Sequence, residues 1–117
     1  MEKKWLIWAG FHGFCAVALG AFAAHALKER LDPQALGFVE TGARYQMVHA
    51  LALLGLAGLD GGPKLKYSAW GFALGALVFS GSLYAMALGA PHFMGAVTPL
   101  GGLMLLGGWA MLAISFW

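Results

Sequence analysis

Four apolar blocks alternate along this chain with three short polar breaks, "KERLDPQALG", "DGGPKLK" and "GAPHFM". Within the blocks Leu, Ala, Gly, Val and Phe follow one another with no period-two alternation. Strands of a membrane barrel would alternate polar and apolar positions, so the blocks predict helices. Their limits are about Trp5 to Leu27, Phe38 or Gly42 to Leu59, Tyr67 to Leu88 and Gly95 to Phe116. Each meets the roughly 17 to 25 residues that a helix needs to cross a bilayer.

No Asp, Glu, Lys or Arg occurs between Tyr67 and Trp117. As one helix that stretch would measure roughly 76 Å, against a hydrocarbon core of about 30 Å, so it must turn. Gly89 and Pro91 mark the place, because Pro91 lacks an amide donor and Gly89 tolerates helix-ending backbone. Asp32 followed by Pro33 reads as a helix cap and first turn. A short interfacial helix over Pro33 to Glu40 is therefore expected before Gly42 redirects the chain inward. By the same logic Thr98 caps the last span and Pro99 occupies its first turn.

Composition agrees with the pattern. Of 117 residues 61% are hydrophobic and 10% charged, against about 45 to 50% and about 25% in ordinary soluble domains. The predicted fold is all-α, an integral membrane bundle of four transmembrane helices forming one domain over residues 1–117. The first block could also be read as a secretory signal, but it exceeds the usual core of about 7 to 15 residues. Lys3, Lys4, Lys64 and Lys66 lie on one side, and Lys28, Arg30 and Arg44 on the other. The positive-inside rule then places both termini in the cytoplasm. Trp5, Trp8, Tyr67, Trp70 and Trp117 fall near span ends, where amphipathic rings prefer the headgroup region. The lone Cys15 excludes an intrachain disulfide.

Small residues recur on three of the spans: Gly13 and Gly20 on the first, Gly71 and Gly75 on the third, Gly101 and Gly108 on the fourth. They allow the close approach by which membrane helices associate. "ALGAFAAHAL" aligns with "FSGSLYAMAL", and "GARYQMVHALALL" with "GAVTPLGGLMLL". Two tandem helical hairpins in the same orientation would give this likeness.

Polar residues inside the blocks are the candidate chemistry. At about 100° per residue Tyr45, Gln46 and His49 share one arc of the second span, and Glu40 and Arg44 lie roughly opposite. Glu40 precedes Arg44 by four residues, the favourable sense for an interfacial ion pair, and Arg44 can snorkel to headgroups. His12 on the first span lies at a depth similar to His49, so the two imidazoles can face each other across antiparallel helices. Ser80, Ser82 and Tyr84 are available as partners. Ionisable groups buried in spans are functional candidates by default, yet polar side chains also serve simply to hold helices together. His25 and His92 fall near span ends and read as interfacial.

The sequence contains no haem-attachment motif, no H-E-x-x-H and no spaced Cys/His cluster, so no metal or cofactor is expected. No catalytic constellation appears either, since Asp60 is the only acid after Glu40 and the serines of "FSGSLY" lack a base at recognisable spacing. Scattered cations argue against nucleic acid as a partner.

Four segments, "LGAFAAHAL", "TGARYQMVHALALL", "FSGSLY" and "TPLGG", in this order and spacing, resemble the small membrane-protein family called domain of unknown function family 423. They are also similar to the eukaryotic transmembrane protein 256 group. The resemblance covers nearly the whole chain. It implies four membrane helices and, for bacterial members, the cytoplasmic membrane, but no established activity, ligand or catalytic residue. His25, Arg44, Tyr45, Gln46, His49, Ser80, Gly81, Ser82, Thr98 and Pro99 fall on its motif positions; Ala23 stands where a Gly is usual. Two function classes follow. One is a non-enzymatic scaffold, complex subunit or binder of lipid or a small hydrophobic ligand, associating with membrane lipids, itself or a larger complex. The other is a minimal oligomeric transporter or proton-linked permease, with a polar path at His49, His12 and Gln46.

Overall fold

The computed structural model describes residues 2–117 as four α-helices: α1 (Lys3–Ala24), α2 (Pro33–Leu56), α3 (Leu65–Ala87) and α4 (Thr98–Ser115). Two short 3-10 helices, Leu27–Glu29 and His92–Ala96, interrupt the connections. Three segments are long and apolar enough to cross a membrane: α1, α3 and the run His92–Ser115 that contains α4. α2 is as long as these but carries Glu40, Arg44, Gln46 and His49.

Helix ends follow local chemistry. The Asp32 carboxylate accepts the Ala35 amide at 2.7 Å, and Pro33 occupies the first turn, which satisfies one free donor and spends none. From there α2 runs unbroken to Leu56, so no separate short helix forms over Pro33–Glu40. The reason is that Gly37 and Gly42 keep φ on the negative side. A helical glycine costs about 1 kcal/mol relative to Ala but does not by itself break the hydrogen-bond ladder. The turns occur where Gly62 and Gly89 adopt φ of 78° and 105°, backbone that glycine reaches without a Cβ clash. Pro99 does sit in the first turn of α4, but Thr98 is a helical residue and not its cap. Its hydroxyl meets Ser82 instead.

α2 and α3 are the central pair. α1 packs along α2 and touches α3, α4 packs along α3, and α1 and α4 form no packed interface among the described residues. The result is flattened, 47 × 26 × 19 Å. Two apolar clusters divide its length. One joins Trp5, Ala9, Leu53, Leu56, Phe72 and Ala76; the other joins Ala23, Val39 and Ala87, with Leu19 and Tyr84 against them. His12, Gln46, His49, Ser80 and Ser82 lie between these clusters along the sequence of their helices, whereas Ser68 lies within the first.

Candidate functional site

Two hydrogen-bonded chains cross the middle of the protein. In the first, His12 on α1 has Nε2 2.9 Å from the Ala73 carbonyl of α3 and Nδ1 2.8 Å from Gln46 Nε2 on α2. A carbonyl oxygen can only accept, so Nε2 carries the proton and Nδ1 accepts from the Gln46 amide. The Gln46 oxygen in turn accepts the Tyr84 hydroxyl at 2.7 Å. Three helices are thus joined by one directional series, Tyr84 to Gln46 to His12 to Ala73. His12 is 0% exposed and Gln46 3%.

The second chain fixes His49. Its Nδ1–H donates to the Tyr45 carbonyl one turn back at 2.7 Å, and its Nε2 accepts the Trp109 indole N–H of α4 at 3.0 Å. An indole only donates, so this arrangement holds the neutral imidazole with its proton on Nδ1. The two imidazoles face different partners and not one another. Rotation along α2 explains this, because each ring is aimed by a different neighbour: Gln46 toward α1, and Trp109 from α4.

Serines complete the set. Ser80 donates to the Gly42 carbonyl and Ser68 to the Gly108 carbonyl, both at 2.7 Å, so each ties α3 to a neighbouring helix at a glycine. Ser82 bonds the Phe79 carbonyl and the Thr98 hydroxyl. No buried side-chain nitrogen or oxygen among the described residues lacks a partner. Nor do these residues contain a group of three His, Cys, Asp or Glu suited to a metal ion.

Of the sequence candidates, His12, Gln46, His49, Ser80 and Ser82 are buried. Tyr45 is 43% exposed, stacked between His49 and Phe79 at the wall of a groove. It leaves the buried arc because one step of 100° carries it from the α1 side toward α4. His25 and Arg44 are also exposed and join neither chain. Glu40 and Arg44 do not form an ion pair; the pair within 4 Å among the described residues is Lys4 with Glu2, at 3.5 Å. Exposed side chains gain little from such contacts, which explains why spacing alone does not bring them together. Trp109 and Ser68 complete the site although the sequence pattern does not single them out. The available signals were an indole inside the last span, which needs an acceptor when sheltered, and a serine in the first turn of the third.

Between α2 and α4 the surface opens into a groove of about 530 Å³, lined by Tyr45, His49, Phe79, Pro99, Leu103 and Trp109 among others. At the opposite end of the molecule Trp5 is buried against Trp70, centroids 4.9 Å apart, with Lys4 Nζ 5.0 Å above the Trp5 ring.

Comparison with known proteins adds the family. Residues 19–102 match the family described as "Protein of unknown function (DUF423)". A UPF0382 membrane protein of Haemophilus influenzae is 43% identical over 115 residues, covering 97% of this chain and 93% of the relative. The UPF0382 inner membrane protein YgdD of Escherichia coli K12 is 42% identical over 116 residues, with 94% and 86% covered. A UPF0382 membrane protein of Staphylococcus haemolyticus is 36% identical over 115 residues, with 97% and 94% covered. No solved structure matches.

Proposed function

This chain belongs to the DUF423 family, membrane proteins of unknown function, and from that premise we propose a non-enzymatic assembly role: a rigid helical block in the inner membrane that presents its outer faces to lipid and to a protein partner. α2 is the fourth crossing helix in this reading, its first two turns lie in the headgroup region, and both termini are cytoplasmic. Its polar residues do not exclude it from the bilayer, because Gln46 and His49 turn toward other helices, where such groups are tolerated.

One observation carries the proposal: the buried hydrogen-bonded chains are closed. A permease path through His12 and Gln46 would need a donor or acceptor left free for cargo, and both side chains are engaged at each polar atom that faces a neighbour. A polar set of this kind fits interhelical anchoring, for about 1 kcal/mol or less per bond. The groove beside Tyr45 and Trp109 supports one addition to the role, seating the acyl chain of a lipid.

Flux measured in proteoliposomes tests this. The intact protein is expected to pass neither protons nor small solutes above the level of empty vesicles. Flux that disappears in His49→Ala would replace the assembly role with transport.

A further inference from the structure

The outward face of α2 differs from the other outer helix faces in carrying both an exposed carboxylate and an exposed guanidinium, Glu40 and Arg44. α1 presents Ile7, Phe14 and Val17 outward, and α4 presents Leu100, Leu103 and Leu106. Those are bulky apolar chains suited to acyl tails. Along α2, positions 37, 41, 44, 48, 51 and 55 carry Gly, Thr, Arg, Val, Leu and Gly, the first two half-buried and the other four exposed. Their spacing alternates four and three, which is the seam of a left-handed helix pair. A Cβ built at Gly37 or Gly55 meets nothing within 4 Å, and Gly55 is exposed while Gly37 is half-buried. Glu40 flanks the seam one turn before Arg44, and both side chains are exposed.

The charges decide what covers this face. In a crossing α2 whose first two turns lie among the headgroups, Glu40 stands at the boundary of the apolar layer and Arg44 one turn, roughly 6 Å, inside it. A guanidinium exposed one turn inside that layer either reaches back to the headgroups or turns toward protein, and a carboxylate at the boundary offers it a protein partner. They are also complementary to themselves. Two parallel copies of α2 related by a two-fold axis along the membrane normal bring Glu40 of each beside Arg44 of the other, and a self-complementary patch of this kind closes as a dimer.

We propose that the protein pairs with a second copy of itself through this face of α2, with Val48 and Leu51 packed across the axis and Glu40 bonded to the partner's Arg44. The interface deepens the assembly role and rests on α2 crossing the membrane.

Cysteine crosslinking in native membranes tests it, on a Cys15→Ala background. Val48→Cys and Leu51→Cys are expected to give covalent dimers, and Phe14→Cys and Leu100→Cys on the outer faces of α1 and α4 are not. Glu40→Arg or Arg44→Glu alone places like charges together and is expected to lower the crosslinked fraction at position 51 about tenfold or more. Combining the two reversals should restore it. Equal crosslinking on all faces, or no crosslinking at 48 and 51, would overturn the dimer. So would single reversals without effect, or a double reversal that fails to rescue, the result expected if Arg44 held a lipid phosphate. Labelling Gly37→Cys and Gly58→Cys with an impermeant maleimide from opposite sides reports the crossing of α2 separately, so its failure is distinguishable from failure of the dimer.

Discussion

The α3–α4 contact and the α1–α2 contact both use glycine, but in different ways. A Cβ added at Gly101 would stand 2.7 Å from the Phe79 Cα, and one at Gly75 would stand 2.9 Å from the Leu105 nitrogen. At Gly71 it would meet the Gly108 Cα and the Met104 carbonyl, each at 2.9 Å. These are backbone atoms, which have nowhere to move. Across α1 and α2 the corresponding contacts are ordinary: Gly13 would meet the Ala50 Cβ at 3.9 Å, and Gly20 the Ala43 Cβ at 3.8 Å. What α1 lacks in closeness it gains from His12, whose hydrogen bonds reach both central helices. Both edges carry side-chain hydrogen bonds, from Ser68 and Trp109 on the α4 side and from His12 on the α1 side, but only the α3–α4 edge adds approach to backbone at its glycines, a contact that counts in membranes because hydrophobic burial alone does not draw helices together.

Substitutions can break this contrast. Gly101→Leu should have the largest effect, a loss of about 3 kcal/mol or more, since it overpacks a site bounded by backbone; reversible unfolding in mixed detergent reads the loss. Gln46→Leu should come next at about 1 to 2 kcal/mol, because it strands the His12 Nδ1 and the Tyr84 hydroxyl together. Ser68→Ala removes a single bond to the Gly108 carbonyl and is expected to cost about 0.6 kcal/mol by the same assay. Gly20→Ala should be the mildest, within about 0.5 kcal/mol of the unsubstituted protein, as its methyl has room and improves helix propensity. If Gly20→Ala cost as much as Gly101→Leu, the distinction between the two edges would collapse.

Run length and turn chemistry made the helices legible in the sequence. The corners at Gly62 and Gly89 and the Asp32 cap all carry local signals. So did the inward polar residues, because an imidazole or amide inside an apolar run has few places to go, and His12, Gln46 and His49 are buried as their positions imply. Other features depend on neighbours distant along the chain. Nothing around Gly101 announces that Phe79 lies against it, and nothing around Gly20 announces that its own space is free. Trp109 sits among Leu, Gly and Ala, so its bond to His49 emerges only when α4 is laid beside α2. The glycine expected to mark a break, Gly42, stays helical within α2 and instead accommodates the Tyr84 ring, against which a Cβ would stand at 2.7 Å, a use set by a neighbour distant along the chain.

The placement of the first polar chain has a consequence for biogenesis. Every group in it, from His12 through Gln46 to Ala73 and Tyr84, belongs to α1, α2 or α3. As the polypeptide leaves the ribosome from its amino end, these bonds can close before α4 has entered the bilayer. The last helix then docks by contour onto a finished platform, with Trp109 reaching His49 as the final fastening.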